Sequence, residues 1–138
     1  MVQRSTSSAF VASAQLLEEL AERSTPIALG EHRMLFREGD QPVGVYIVWR
    51  GAAQLTSGSN GETVLCVEAG PGSLLGVPAV IGSKRYSLTA VALEGAELSF
   101  INCEDFVHLM HTQPILAFEV LKVLAEEVRF AREVGSRS

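Results

Sequence analysis

Only two of the 138 residues are cysteine, Cys66 and Cys103. Their spacing matches no metal site and no disulfide framework, so stability has to come from a packed core, and a reduced compartment fits. Histidine is nearly as scarce, with three residues. His32 stands alone in a turn, while His108 and His111 are three apart on a predicted helix. With Cys103 those two could suggest a metal or haem site, but no further ligands accompany them, and no metal is expected. Basic residues are outnumbered by acidic ones, 11 to 16, for a formal net charge of −5. No basic face for nucleic acid emerges, which argues against autonomous DNA binding. No apolar run approaches the roughly 20 residues of a membrane span. Ala12-Ser13-Ala14 superficially resembles a signal-cleavage site, yet the apolar segment before it is too short and Glu18 and Glu19 follow at once. A cytoplasmic protein without membrane contact is expected. Ser, Cys and His show no nucleophile elbow or triad. No strand carries two histidines with a carboxylate. Glu18-Glu19 and Glu126-Glu127 read as solvated helix faces. Catalysis is not expected.

What is present is a single-domain length, with 47% hydrophobic and 20% charged residues, enough for a globular core. Met1–Ser8 is polar and expected to be flexible. Ser8 can cap a helix over about 9–22, where Phe10, Ala14, Leu17, Leu20 and Ala21 recur at helical spacing. From Ile27 to Asn102 the pattern changes to short strands punctuated by glycine, the rhythm of an antiparallel sandwich or roll. Predicted strands are Arg33–Arg37, Val43–Trp49, Ala52–Thr56, Glu62–Glu68, Leu88–Leu93 and Ala96–Ile101, with Asn60-Gly61 as a hairpin tip. Helical period returns over 103–134. Asn102 and Asp105 can form a capping box, and Pro114 opens the last helix, which Gly135 closes.

Gly70–Leu93 is the stretch around which the rest is arranged. Gly76 and Pro78 prevent Leu74–Ile81 from being a plain strand, and Pro78 suits the first turn of a short helix that Gly82 ends. Backbone N–H groups at such a start can receive an anion. An ordinary surface turn would read the same way. The last helix carries two apolar stripes. Ala117, Leu121, Leu124 and Val128 follow coiled-coil spacing, while Leu116, Val120, Val123, Phe130 and Val134 form the other. One stripe is enough for packing on one surface. Two suggest the roll on one side and a second subunit on the other, although a helix buried twice within one chain would also use both.

This order of parts resembles the cyclic nucleotide-binding domain of the catabolite activator (Crp/Fnr-like) family. Leu35-Phe36-Arg37-Glu38-Gly39-Asp40, followed by Val45–Gly51, is similar to its opening strands. Gly76–Ala92 lies where it has the phosphate-binding cassette, and Glu104-Asp105-Phe106, Pro114 and Leu121–Arg129 look like its closing helices. The resemblance implies a mainly β fold with flanking helices. That fold is a double-stranded β-helix, or jelly-roll-like β-roll, with a long C-terminal dimerisation helix. Many members add a helix-turn-helix domain after that helix, and this chain ends at Ser138. In the cassette, Gly76, Ala79, Val80, Ile81, Ser87 and Thr89 match the family pattern without a gap. Val77 stands where a Glu is expected to hold the ribose. Arg85 replaces a Pro, and Tyr86 replaces the Arg expected to hold the cyclic phosphate.

The resemblance thus implies ligand-binding positions Gly76, Val77, Pro78, Ala79, Arg85, Tyr86 and Ser87, with cyclic AMP itself bound weakly or not at all. Lys84 and Arg85 could substitute for the lost cation or be a solvated tip. Tyr86 could touch a ligand or fill its pocket. One functional reading is a homodimeric regulatory sensor that takes a cyclic nucleotide or another small anion as effector in the Gly76–Leu88 cassette and signals through the last helix. The other is a ligand-free dimerisation or interaction module of the same fold, or a truncated transcriptional regulator. A polar, cationic cassette interior supports the first; an aromatic plug supports the second.

Overall fold

The computed structural model describes the backbone of residues 3–7, 11–30, 33–59 and 62–135, and the side chains of 11–30, 33–58 and 66–126. Ser8, Phe10, His32 and Asn60-Gly61 lie outside the described residues, as do the side chains of Val128, Phe130 and Val134. The elements are β1 (Gln3–Ser7), α1 (Ala14–Arg23), β2 (Thr25–Pro26), β3 (Met34–Phe36), β4 (Gly44–Arg50), β5 (Ala53–Ser59) and β6 (Glu62–Ala69). Then come β7 (Leu74–Leu75), α2 (Val77–Gly82), β8 (Thr89–Ala92), β9 (Glu97–Asn102), α3 (Cys103–Thr112) and α4 (Pro114–Gly135). Two sheets form the roll, in the orders β1-β6-β5-β8-β3 and β2-β9-β4-β7. The pairings are antiparallel except for β1 on β6. The mainly antiparallel β-roll with flanking helices read from the sequence is therefore the fold.

The four-stranded sheet separates two cores. Val45 and Ile47 of β4, Leu74 of β7 and Ile101 of β9 face the helices. Their strand neighbours Tyr46, Val48, Leu75 and Leu98 face the inside of the roll. Side chains alternate across a strand, so a sheet covered on both faces needs apolar residues at successive positions. This is why Val45–Trp49 reads as an unbroken apolar run. On the helix side, Leu16 and Leu20 of α1, Phe106 and Leu109 of α3, and Leu116, Val120 and Val123 of α4 close the core. Each fully buried side chain of this size contributes roughly 1.5–3 kcal/mol.

Two expectations at the N-terminus are corrected. Residues 3–7, expected to be flexible, form a strand alongside β6. The first helix starts at Ala14 rather than near residue 9, and its N-cap is Ser13, whose Oγ accepts from the Leu16 N–H at 3.2 Å. The chain before it is held extended. Val11 bridges Ser73, and the Ala12 N–H donates to the Gly72 carbonyl at 2.9 Å. Helical spacing alone cannot register this long-range pairing.

The second capping signal is borne out. The Asp105 N–H donates to Asn102 Oδ1 at 2.8 Å, and Asn102 Nδ2 donates to Asp105 Oδ2 at 3.1 Å. Asn102→Ala should lower stability by about 1 kcal/mol. The check is urea unfolding: a lower midpoint with an unchanged slope is expected.

Candidate functional site

The cassette is built on a reversal at Gly76. After β7 the chain turns through Gly76 at φ +95°, a conformation open to glycine. A Cβ there would lie 2.9 Å from Tyr86 Cε1 and 3.2 Å from the Gly44 carbonyl oxygen. Gly76 is thus required twice, by its backbone and by the ring packed on it. Pro78 occupies the first turn of α2, as the sequence suggested. Ser83 ends that helix in the left-handed region at φ +50°, and the Lys84 N–H returns to the Ala79 carbonyl at 3.0 Å.

Tyr86 then fills the interior. Its main chain pairs with the turn after β3: its N–H donates to the Asp40 carbonyl at 2.9 Å, and its carbonyl accepts from the Gly39 N–H at 2.8 Å. Its side chain points inward and is 3% exposed. The ring stacks on Phe36 with centroids 3.9 Å apart and planes 13° from parallel. The hydroxyl accepts from the N–H groups of Val43 at 3.0 Å and Gly44 at 3.3 Å, and donates to the Gly44 carbonyl at 2.9 Å. A hydroxyl has one hydrogen and two lone pairs, so this one has no bonding capacity left for a ligand.

The space beside it is about 20 Å³, room for one or two water molecules. Phe36, Leu55 and Leu75 line it from the strands, Gly76, Pro78 and Ala79 from the cassette, and Tyr86, Ser87 and Leu88 from the returning chain. No side chain among them is charged. Five of the seven expected ligand positions, Gly76, Pro78, Ala79, Tyr86 and Ser87, converge on this cleft. Val77 and Arg85 do not. Val77 is fully buried on the opposite side, in the helix-facing core. Arg85 is exposed and donates from Nη1 to the Gly39 carbonyl at 2.8 Å. Arg85 does not line the cleft, and Lys84 is exposed as well.

Phe36, Val43 and Gly44 complete the site, and sequence reasoning assigned none of them a role in it. Gly44 was the available signal, a glycine opening an otherwise apolar strand. A Cβ on it would collide with the Ile101 carbonyl oxygen.

The predicted seam on α4 is only partly free. Ala117 and Leu124 are half-buried against the chain's own helix core. Leu121 is 53% exposed, and beside it stand Phe118 at 61% and Ile115 at 67%, which belong to neither predicted stripe. Leu116, Val120 and Val123 of the second stripe face the core. His108 and His111 are exposed. Among the described residues no three His, Cys, Asp or Glu side chains gather as a metal site, and no helix is long and apolar enough to cross a membrane.

Burial raises the pKa of Tyr86, and the two backbone N–H donors only partly oppose it. Burial, then the proximity of Tyr86, raises that of Tyr46. These are the chain's two tyrosines. The folded state therefore keeps phenol protons that the unfolded state loses near pH 10. Stability is full below about pH 10 and falls as the pH rises through the folded values. In an alkaline titration, phenolate absorbance of the native protein should lag that of the denatured protein for both tyrosines. Tyr86→Phe should remove one of the two late steps.

A family model described as the cyclic nucleotide-binding domain matches residues 26–113. The cyclic AMP receptor protein of Thermus thermophilus is 30% identical over 98 residues, covering 70% of this chain and 45% of that protein. The chain thus spans less than half the length of that relative. The crystal structure of the catabolite activator protein of Thermus thermophilus superposes with a TM-score of 0.71 at 24% identity, covering 87% of this chain and 57% of the other. A structure from work on a cyclic-GMP-dependent signalling pathway that regulates bacterial phytopathogenesis superposes with a TM-score of 0.68 at 26% identity, covering 88% and 96%.

Proposed function

The chain belongs to the cyclic nucleotide-binding domain family, and from that membership we propose that it is a non-catalytic regulatory module whose cassette is closed by its own Tyr86. The carrying observation is the saturated Tyr86 hydroxyl beside a cleft of about 20 Å³. Sites for small molecules commonly enclose about 300–1,000 Å³. A cyclic nucleotide would have to expel the ring, break its three hydrogen bonds and unstack it from Phe36. It would then meet no cation, because neither Arg85 nor Lys84 lines the cleft. An anion of any kind meets the same apolar lining. This favours the aromatic-plug reading over the effector-binding one. The module acts through α4, as a cytoplasmic homodimer.

Loss of one buried charge-assisted bond costs roughly 1.5–3 kcal/mol, or on the order of ten- to hundredfold in affinity. The displaced plug adds to that. Calorimetric titration with cyclic AMP and with cyclic GMP should show no saturable heat below about 1 mM. Micromolar binding of either one would overturn the closed-cassette reading.

The dimer rests on Leu121, with Phe118 and Ile115 beside it. Leu121→Asp is the clean test, since Leu124 also packs the chain's own core and its replacement would confuse dissociation with unfolding. The variant should sediment as a folded monomer, because an unpaired carboxylate is costly to bury between subunits. A wild-type protein that is itself monomeric at tens of micromolar would sink the proposal.

A further inference from the structure

We infer that Tyr86 acts as a tethered ligand, fixing the start of α3, and through it α4, by way of the Val43–Gly44 backbone. The inference deepens the closed-cassette reading and rests on it. Among the described residues the Tyr86 hydroxyl is bound to Val43 and Gly44 alone. Val43 is in turn hydrogen-bonded to the junction of β9 and α3, and Gly44 lies opposite it in the ladder. The Val43 carbonyl accepts from the Cys103 N–H, the first residue of α3, at 3.2 Å. Gly44 pairs with Asn102, the cap of the same helix. The Cys103 thiol reaches the Pro42 carbonyl at 3.5 Å. Gly44 also lies so close to β9 that a Cβ would strike the Ile101 carbonyl, so movement of one backbone is felt by the other.

A second contact runs beside the first. The Tyr86 ring rests on Gly76, and the next residue, Val77, packs in the core with Phe106 and Leu109 of α3 and Leu116 of α4. One residue, Gln113, separates α3 from α4, so the two helices cannot shift independently. The phenol therefore touches both supports on which the helix pair rests. A bound effector would have to make such contacts from within the cleft. Here a side chain makes them permanently, at the high effective concentration of an intramolecular group.

Residue-resolved amide hydrogen exchange on the full chain tests this. Tyr86→Phe keeps the ring stack and removes the hydroxyl. Exchange at Val43, Gly44, Cys103 and the first turn of α3 should quicken about ten- to hundredfold, with β5 and β6 unchanged. Quickening confined to Val43 and Gly44 would overturn the relay, and so would an equal rise over the whole chain. Tyr86→Ala then empties the slot. Added 4-methylphenol, which supplies the missing ring and hydroxyl, should restore protection at Cys103, while toluene should not. Equal rescue by both compounds, or by neither, would overturn the role of the hydroxyl. Wild-type binding of cyclic AMP would instead count against the closed cassette, and the exchange pattern alone decides the relay.

Discussion

Three backbone groups, the N–H of Val43 and the N–H and carbonyl of Gly44, meet one phenol oxygen, and the geometry of the cassette depends on that meeting. Two glycines make room for it. Gly44 lets β4 run against the Ile101 carbonyl, and Gly76 lets the cassette turn beneath Tyr86. Buried backbone groups without partners would each be costly. Here the phenol satisfies them in a region where the β4–β9 ladder is just beginning. The stacked Phe36 ring keeps water from competing. The plug is therefore part of the polar accounting of the fold as well as of its apolar core.

An arginine at position 86 would have presented five donors to a guest and left its own charge in need of one. A tyrosine at the same position finds its partners within the chain. On the proposed reading, the chain itself completes a site that a ligand would otherwise complete. This also changes which state has to be displaced. A free ligand can shift an equilibrium only by its differential affinity for two states, and the closed state now holds a stacking contact and three hydrogen bonds against it. Val77 points the same way from the other side. Where the resemblance implies a carboxylate turned toward a sugar, an apolar side chain turns toward α3 and α4 and tightens the helix core.

Much of this is legible in the sequence. Glycine-punctuated alternation gave the roll, the unbroken Val45–Trp49 run reflects a strand covered on both faces, and Asn102 with Asp105 marked the start of α3. Tyr86 stood out as a replaced residue, while the direction of Arg85 was left open. What stayed hidden was long-range. Nothing near Ala9 announces that Val11 and Ala12 will be drawn onto the turn at Gly72 and Ser73, delaying α1. Gly44 signals a close approach without naming what approaches, and nothing near Phe36 announces a partner as distant in sequence as Tyr86. Stripe counting on α4 likewise missed Phe118 and Ile115, because periodicity identifies a repeating apolar face but not which part of a broad apolar arc the chain itself will cover.

That arc shows how the closed cassette and the proposed dimer fit on one helix. Buried Leu116, Val120 and Val123 hold one side of α4 to the roll, half-buried Ala117 and Leu124 lie at its edge, and Leu121 and Phe118 continue beyond it. Residues three and four apart are neighbours on a helix surface, so the covered and uncovered parts are continuous. A two-fold axis along a parallel pair of α4 helices would set Leu121 against its own copy, as an isologous contact requires. Lys122 sits 5.3 Å from the Phe118 ring centroid and 3.3 Å from Glu119 Oε1. Its ammonium therefore lies over one face of that ring, beside the exposed arc. Any displacement that Tyr86 imposes on the inner side of this helix would then reach the outer side as a change in how two copies meet.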